Sequence, residues 1–128
     1  MERRNTRSPF ARAIGLGSAK SGVEHWWAER VSAVALIPLT LWLVASIIAH
    51  TGSDQAAFVA WLRTPTVMIL MVLLVIALFH HTALGLQVVI EDYVHTGAKF
   101  GAIIAVRLGC FALAVAGILS IMKIALTS

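Results

Sequence analysis

Three stretches of this sequence run for the length of a bilayer crossing with almost no formal charge, and few folds other than a membrane-spanning one accommodate that. Residues 31–49 contain no Asp, Glu, Lys or Arg; residues 66–90 are apolar apart from Thr66, His80, His81, Thr82 and Gln87; residues 102–126 carry Arg107 and Lys123 as their only charges. At about 1.5 Å per helical residue, each can cross a hydrocarbon core of about 30 Å. The expected fold is therefore all-α, an integral membrane protein of three transmembrane helices. Composition agrees, since 59% of the 128 residues are hydrophobic and 12% charged, against roughly 25% charged in soluble domains.

These bounds exclude several classes of function. Beside three spans the chain has no room for a nucleotide-binding sheet or a hydrolase fold, so any chemistry depends on a cofactor or on partner subunits. The lone Cys110 excludes an internal disulfide and a cysteine zinc cage. A net charge of +4 is better explained by membrane topology than by nucleic acid, because the basic residues alternate with apolar spans.

Residues 1–24 form a basic segment, and residues 25–128 the three-span anchor domain. Arg3, Arg4, Arg7, Arg12 and Lys20 crowd the segment, with Arg30 just before the first span; the first loop holds only Arg63, and the second holds Lys99 with Arg107 close by. The positive-inside rule then sets the N-terminus in the cytoplasm and the C-terminus on the periplasmic face. No apolar stretch precedes the first span, so a cleaved secretory signal is not expected and a bacterial inner (plasma) membrane is favoured, although the arginine spacing leaves room for an organelle presequence. Gly15, Gly17, Ser18, Ser21 and Gly22 read as flexible coil. Pro38 is expected to kink the first helix, tolerably where neighbouring helices satisfy the freed carbonyl. Residues 50–65 read as a polar loop with room for a short interfacial helix whose Phe58 and Trp61 face the lipid. Arg107 and Lys123 are expected to snorkel to the headgroups, and Trp26, Trp27 and Tyr93 to line one interface with Trp61 at the other.

Chemistry would reside in the polar residues of the spans. An imidazole in hydrocarbon is costly unless paired or ligated, so His80 and His81 need a reason: a hydrogen bond to a neighbouring helix, or axial ligation of a haem. Helical phase bears on which of the two is used. One turn on from His81 lies Gly85, whose missing Cβ leaves a shallow place for a macrocycle or for another helix; His80 faces Leu84 instead. At the end of the same helix, Glu91-Asp92-Tyr93-Val94-His95 is either a solvated terminus or a phenol beside a carboxylate able to hydrogen-bond a quinone carbonyl and relay protons to it. Before the first span, His25-Trp26-Trp27-Ala28-Glu29-Arg30 sets Trp26 and Arg30 four apart, suited to a cation–π contact if the stretch is helical. Arg30 and His25 are equally suited to haem propionates, or to a plain interfacial anchor. His80, His50, His95 and Cys110 belong to no motif; their ordinary roles are helix contact, loop surface, loop surface and apolar packing.

From about Gly22 to Leu126 the chain resembles the hydrophobic membrane-anchor subunits, the D-type, of bacterial succinate dehydrogenase (complex II). Three pieces occur in order: His25 to Arg30, His81 with Gly85, and the Asp92-Tyr93 pair eleven residues beyond His81. Two positions depart from the family pattern: His80 precedes His81, and Trp26-Trp27 follows His25 where some members have an acidic residue.

The resemblance implies that His81 is one axial ligand of a haem b shared with the C-type cytochrome b subunit, that His25 and Arg30 lie near its propionates, and that Tyr93 hydrogen-bonds ubiquinone with Asp92 beside it. It implies docking of the iron–sulfur and flavoprotein subunits and a place where the tricarboxylic acid cycle meets the respiratory chain. The chain would not be catalytic alone. The contrasting expectation is a cofactor-free structural or transport-associated membrane protein in which His81 only bonds a neighbouring helix.

Overall fold

The computed structural model describes the backbone of residues 18–127 and the side chains of residues 22–127. Among the described residues four helices follow in order: α1 (Ser18–Ala49), α2 (Gln55–Leu62), α3 (Pro65–Tyr93) and α4 (Ala98–Thr127). The portions Gly22–Ala49, Pro65–Tyr93 and Ala98–Thr127 are long and apolar enough to cross a membrane. The expected three spans are therefore present, but each helix outruns its apolar core. Backbone hydrogen bonding continues past the apolar stretches at their ends. Residues 18–22, expected as coil, accordingly form the first turn of α1. Arg3, Arg4, Arg7, Arg12, Gly15 and Gly17 lie outside the described residues, as does the side chain of Lys20.

Local chemistry sets the other boundaries. Gly52 takes φ +84, a left-handed conformation open to glycine, and turns the chain after α1. The Asp54 carboxylate then accepts from the Ala57 backbone N–H at 2.8 Å, capping α2. Pro65 opens α3, where its missing N–H costs nothing. Pro38 lies inside α1, which continues unbroken through it.

The helices form an open layer with α3 in the centre. α3 packs against α1 on one side and α4 on the other, α2 packs on α3 and α4, and α1 and α4 do not touch among the described residues. The core gathers at the α2 end: Leu62, Val67 and Ile121 are buried, with Trp42, Trp61, Met71 and Val75 packed around them. Trp61 stacks on Trp42 at 6.0 Å between ring centroids and meets His50 at 4.6 Å. Two expectations are corrected here. Trp61 turns into the core rather than to lipid, because α2 packs on α3 and α4 and brings the ring against Trp42, and His50 is half-buried, its Nδ1 bonded to the Ser46 carbonyl at 2.8 Å, rather than loop surface. Phe58 stays exposed at 41%.

Between α3 and α4 the contact relies on a small residue. A Cβ built on Gly117 would approach Val75 Cγ1 to 3.3 Å. Lipid supplies no hydrophobic drive for helices to associate, so close van der Waals approach has to provide it. Gly117→Leu is expected to spread α3 from α4 and destabilise the chain by about 1–3 kcal/mol, read as a lower thermal midpoint of the detergent-solubilised protein; an unchanged midpoint would show that the seam tolerates separation.

Candidate functional site

At the end of the layer opposite the core, packing is thin and polar groups are concentrated. α1 and α3 are antiparallel, so the first turns of α1, the last turns of α3 and the start of α4 share that end. His81 lies near the middle of α3, about 18 Å along the axis from Tyr93 at ~1.5 Å per residue.

The two consecutive histidines have different surroundings. His81 is half-buried, with Nδ1 3.0 Å from Ser32 Oγ on α1. Ser32 is 6% exposed, a buried hydroxyl that also donates to the Glu29 carbonyl at 2.9 Å. The Nε2 atom of His81 has no hydrogen-bond partner among the described residues. His80 is exposed and borders two grooves, one between α1 and α3 and one of about 540 Å³ between α3 and α4. A Cβ placed on Gly85 would meet nothing within 4 Å, in contrast to one on Gly117. No helix of this chain fills the shallow place on the His81 face.

These features fit a haem: one half-buried imidazole with a free nitrogen, and unfilled space one turn along. Among the described residues no group of three or more His, Cys, Asp or Glu converges as a cage for a bare metal ion, whereas axial ligation asks only one imidazole of this chain.

The entry of α1 holds two further candidates. Arg30 lies over the Trp26 ring, 5.3 Å from its centroid, so the helical condition for the cation–π contact is met. Trp26 and Trp27 pack edge to face at 5.2 Å. His25 is half-buried, and its Nε2 is a buried polar atom without a hydrogen-bond partner among the described residues.

Asp92 and Tyr93 close α3. Tyr93 is 81% exposed and Asp92 is exposed beside it. Neither takes part in the hydrogen bonds of the neighbouring turns, which run from Arg107 Nη2 to Gln87 Oε1 at 2.7 Å and from Gln87 Nε2 to Glu91 Oε1 at 2.9 Å. Arg107 also gives its Nε–H to Gln87 Oε1 at 3.1 Å. The exposed guanidinium of Arg107 is thus tied to α3 through the Gln87 amide, which passes the polarisation on to Glu91. The structure thus joins His81 to Ser32 and Arg30 to Trp26, and leaves Tyr93 and Asp92 free at the surface. Ser32 and Gln87 are the site residues that the sequence did not single out.

Comparison with known proteins places this geometry in context. The family described as succinate dehydrogenase/fumarate reductase transmembrane subunit matches residues 4–122. A succinate dehydrogenase hydrophobic membrane anchor subunit of Rickettsia bellii (strain RML369-C) is 39% identical over 88 residues, 69% of this chain and 70% of that protein. The proteins of the same description from Rickettsia conorii (strain ATCC VR-613 / Malish 7) and Paracoccus denitrificans are 30% identical over 117 residues, covering 90% of this chain and 93% of the relative, and 36% identical over 97 residues, covering 76% and 75%. Among solved structures none matches the chain significantly.

Proposed function

The chain belongs to the succinate dehydrogenase/fumarate reductase transmembrane subunit family, and from that premise we propose that it anchors a succinate:quinone oxidoreductase in the membrane while supplying one axial ligand of a haem b and part of the ubiquinone site. As a multi-pass membrane anchor of that family it works with other succinate dehydrogenase subunits. The partners proposed are the flavoprotein and iron–sulfur subunits, docked at the end bearing the first turns of α1, and a C-type cytochrome b subunit facing His81. The membrane proposed is the bacterial inner membrane, with the N-terminus cytoplasmic and the C-terminus periplasmic.

The observation that carries the reading is His81, with its free Nε2 at mid-span and the open space over Gly85 one turn along. When bound, the haem supplies one-electron redox chemistry. His81 offers Nε2 as the ligand. Gly85 keeps the helix surface low beside it, and His25 and Arg30 offer N–H donors for propionate carboxylates. The unpartnered His25 Nε2 supports that role, and the guanidinium of Arg30 matches a carboxylate bidentately.

At the surface, Tyr93 donates its phenolic hydrogen to a quinone carbonyl oxygen, which becomes more basic as the quinone is reduced. Asp92 takes protons from water and passes them towards that oxygen. Their exposure supports this division of labour, because the quinone enters from lipid and its protons come from the aqueous side.

The test is to co-express the tagged chain with the other subunits and purify from membranes. Succinate-driven quinone reduction and a b-type band in the reduced-minus-oxidised spectrum are expected to co-purify with the tag. Purification of the chain without a flavoprotein would end the anchor reading, and an active complex without the band would end the haem reading.

A further inference from the structure

We infer that Ser32 is a positioning residue for His81: its hydroxyl oxygen accepts the hydrogen bond of the Nδ1–H, holds the ring in one orientation and one tautomer, and reserves the Nε2 lone pair for the metal. The inference rests on His81 being the axial ligand.

Proton counting carries the argument. A serine hydroxyl has one hydrogen to give and two lone pairs to receive with. Ser32 Oγ lies 2.9 Å from the Glu29 carbonyl oxygen, which can only accept, and 3.0 Å from His81 Nδ1. The serine hydrogen therefore goes to the carbonyl, and Nδ1 must be the donor to Oγ. The reverse assignment would set two lone-pair oxygens 2.9 Å apart with no hydrogen between them. A neutral imidazole carries one N–H, so with Nδ1 protonated, Nε2 is bare.

The resulting relay runs from Nδ1–H through Oγ–H to a backbone carbonyl, each bond polarising the next. Its serine is buried at 6% exposure and belongs to α1, so it fixes a ring on α3 from a separate helix. A metal-ligating histidine ordinarily donates its second ring N–H to such a group, which orients the ring and raises its basicity; losing the partner costs roughly 10–100-fold in metal affinity or activity. His80 is exposed, and among the described residues no comparable bond holds it. Ser32 thus also gives a physical reason for His81, rather than His80, to be the ligand.

The experiment uses the complex purified with its partner subunits, as wild type, Ser32→Ala, Ser32→Thr and Ser32→Cys. Readouts are the haem midpoint potential, the ferric low-spin resonance spectrum and the rate of haem loss in detergent. In Ser32→Ala the weaker donor favours the ferrous state, so the potential is expected to rise, the resonance values to broaden or shift, and haem loss to be roughly tenfold faster. Ser32→Thr keeps the oxygen and its hydrogen and is expected to restore all three. Ser32→Cys, close in volume with a weakly accepting sulfur, is expected to shift in the alanine direction by less, and it stands in if the alanine variant does not assemble.

A Ser32→Ala or Ser32→Cys complex with wild-type potential, spectrum and haem retention overturns the inference, even if its yield falls, because a plain helix contact moves yield alone. A wild-type complex with no b-type band, or one whose band survives His81→Ala, overturns the axial reading itself and the inference with it.

Discussion

His81→Ala is expected to abolish the b-type band of the purified complex, while His80→Ala retains it. Ligation needs an imidazole held still with a lone pair exposed, and the two neighbours differ in this respect. His81 is half-buried and tied to α1 through Ser32, whereas His80 is exposed along two grooves. Removing the His81 ring deletes an axial donor and leaves a buried hydroxyl short of one partner, a loss of about 1–3 kcal/mol beside the ligation itself. The essentially complete loss of the band should be accompanied by retained succinate oxidation with a water-soluble acceptor, since that chemistry belongs to the soluble subunits in this reading. Loss of the band in His80→Ala with retention in His81→Ala would reverse the assignment and make Ser32 a helix contact only.

The spans were legible because charge is so costly in hydrocarbon that its absence over residues 31–49 points directly to a bilayer crossing. Their ends were less legible. The sequence rule locates hydrocarbon, while the helix follows backbone hydrogen bonding and runs outward to Ser18 and Tyr93. That extension has consequences, since it brings Trp26 and Arg30 onto one face, 5.3 Å apart.

Tertiary contacts were not legible in the same way. Trp61 has the sequence signature of an interfacial anchor, and only the packing of α2 shows its ring stacking on Trp42. The pairing of His81 with Gly85 was legible, because helical periodicity relates residues of one helix. Ser32 was not, because a lone hydroxyl in an apolar span ordinarily bonds its own helix. Ser32 does that as well, to Glu29, and its second bond depends on the register of α1 against α3, which no local pattern encodes. Gln87 and Arg107 are a similar pair, joined across α3 and α4 by a contact invisible to either helix alone.

Tyr93→Phe is expected to lower quinone reductase turnover by roughly 10²-fold, the scale on which positioned proton donors and oxyanion-type hydrogen bonds act. The change removes one oxygen from a side chain that is 81% exposed and that makes no hydrogen bond within the described residues, so folding and assembly lose almost nothing. That separation makes the variant informative: haem content, the b-type spectrum and succinate oxidation with a water-soluble acceptor should all match wild type, and the deficit should appear only when the acceptor is a lipid-soluble quinone. If Tyr93 only helps to hold the quinone, the loss falls on KM. If it donates as electrons arrive, the loss falls on kcat, because the bond then strengthens as negative charge develops on the carbonyl oxygen. The kcat outcome is the one expected, since the carbonyl of an oxidised quinone is a weak acceptor while its reduced form is a strong one. Asp92→Asn should show a smaller deficit of the same kind, because the amide cannot carry protons from water to the site. Wild-type quinone turnover in Tyr93→Phe would remove the phenol from the site and leave the end of α3 as a solvated terminus.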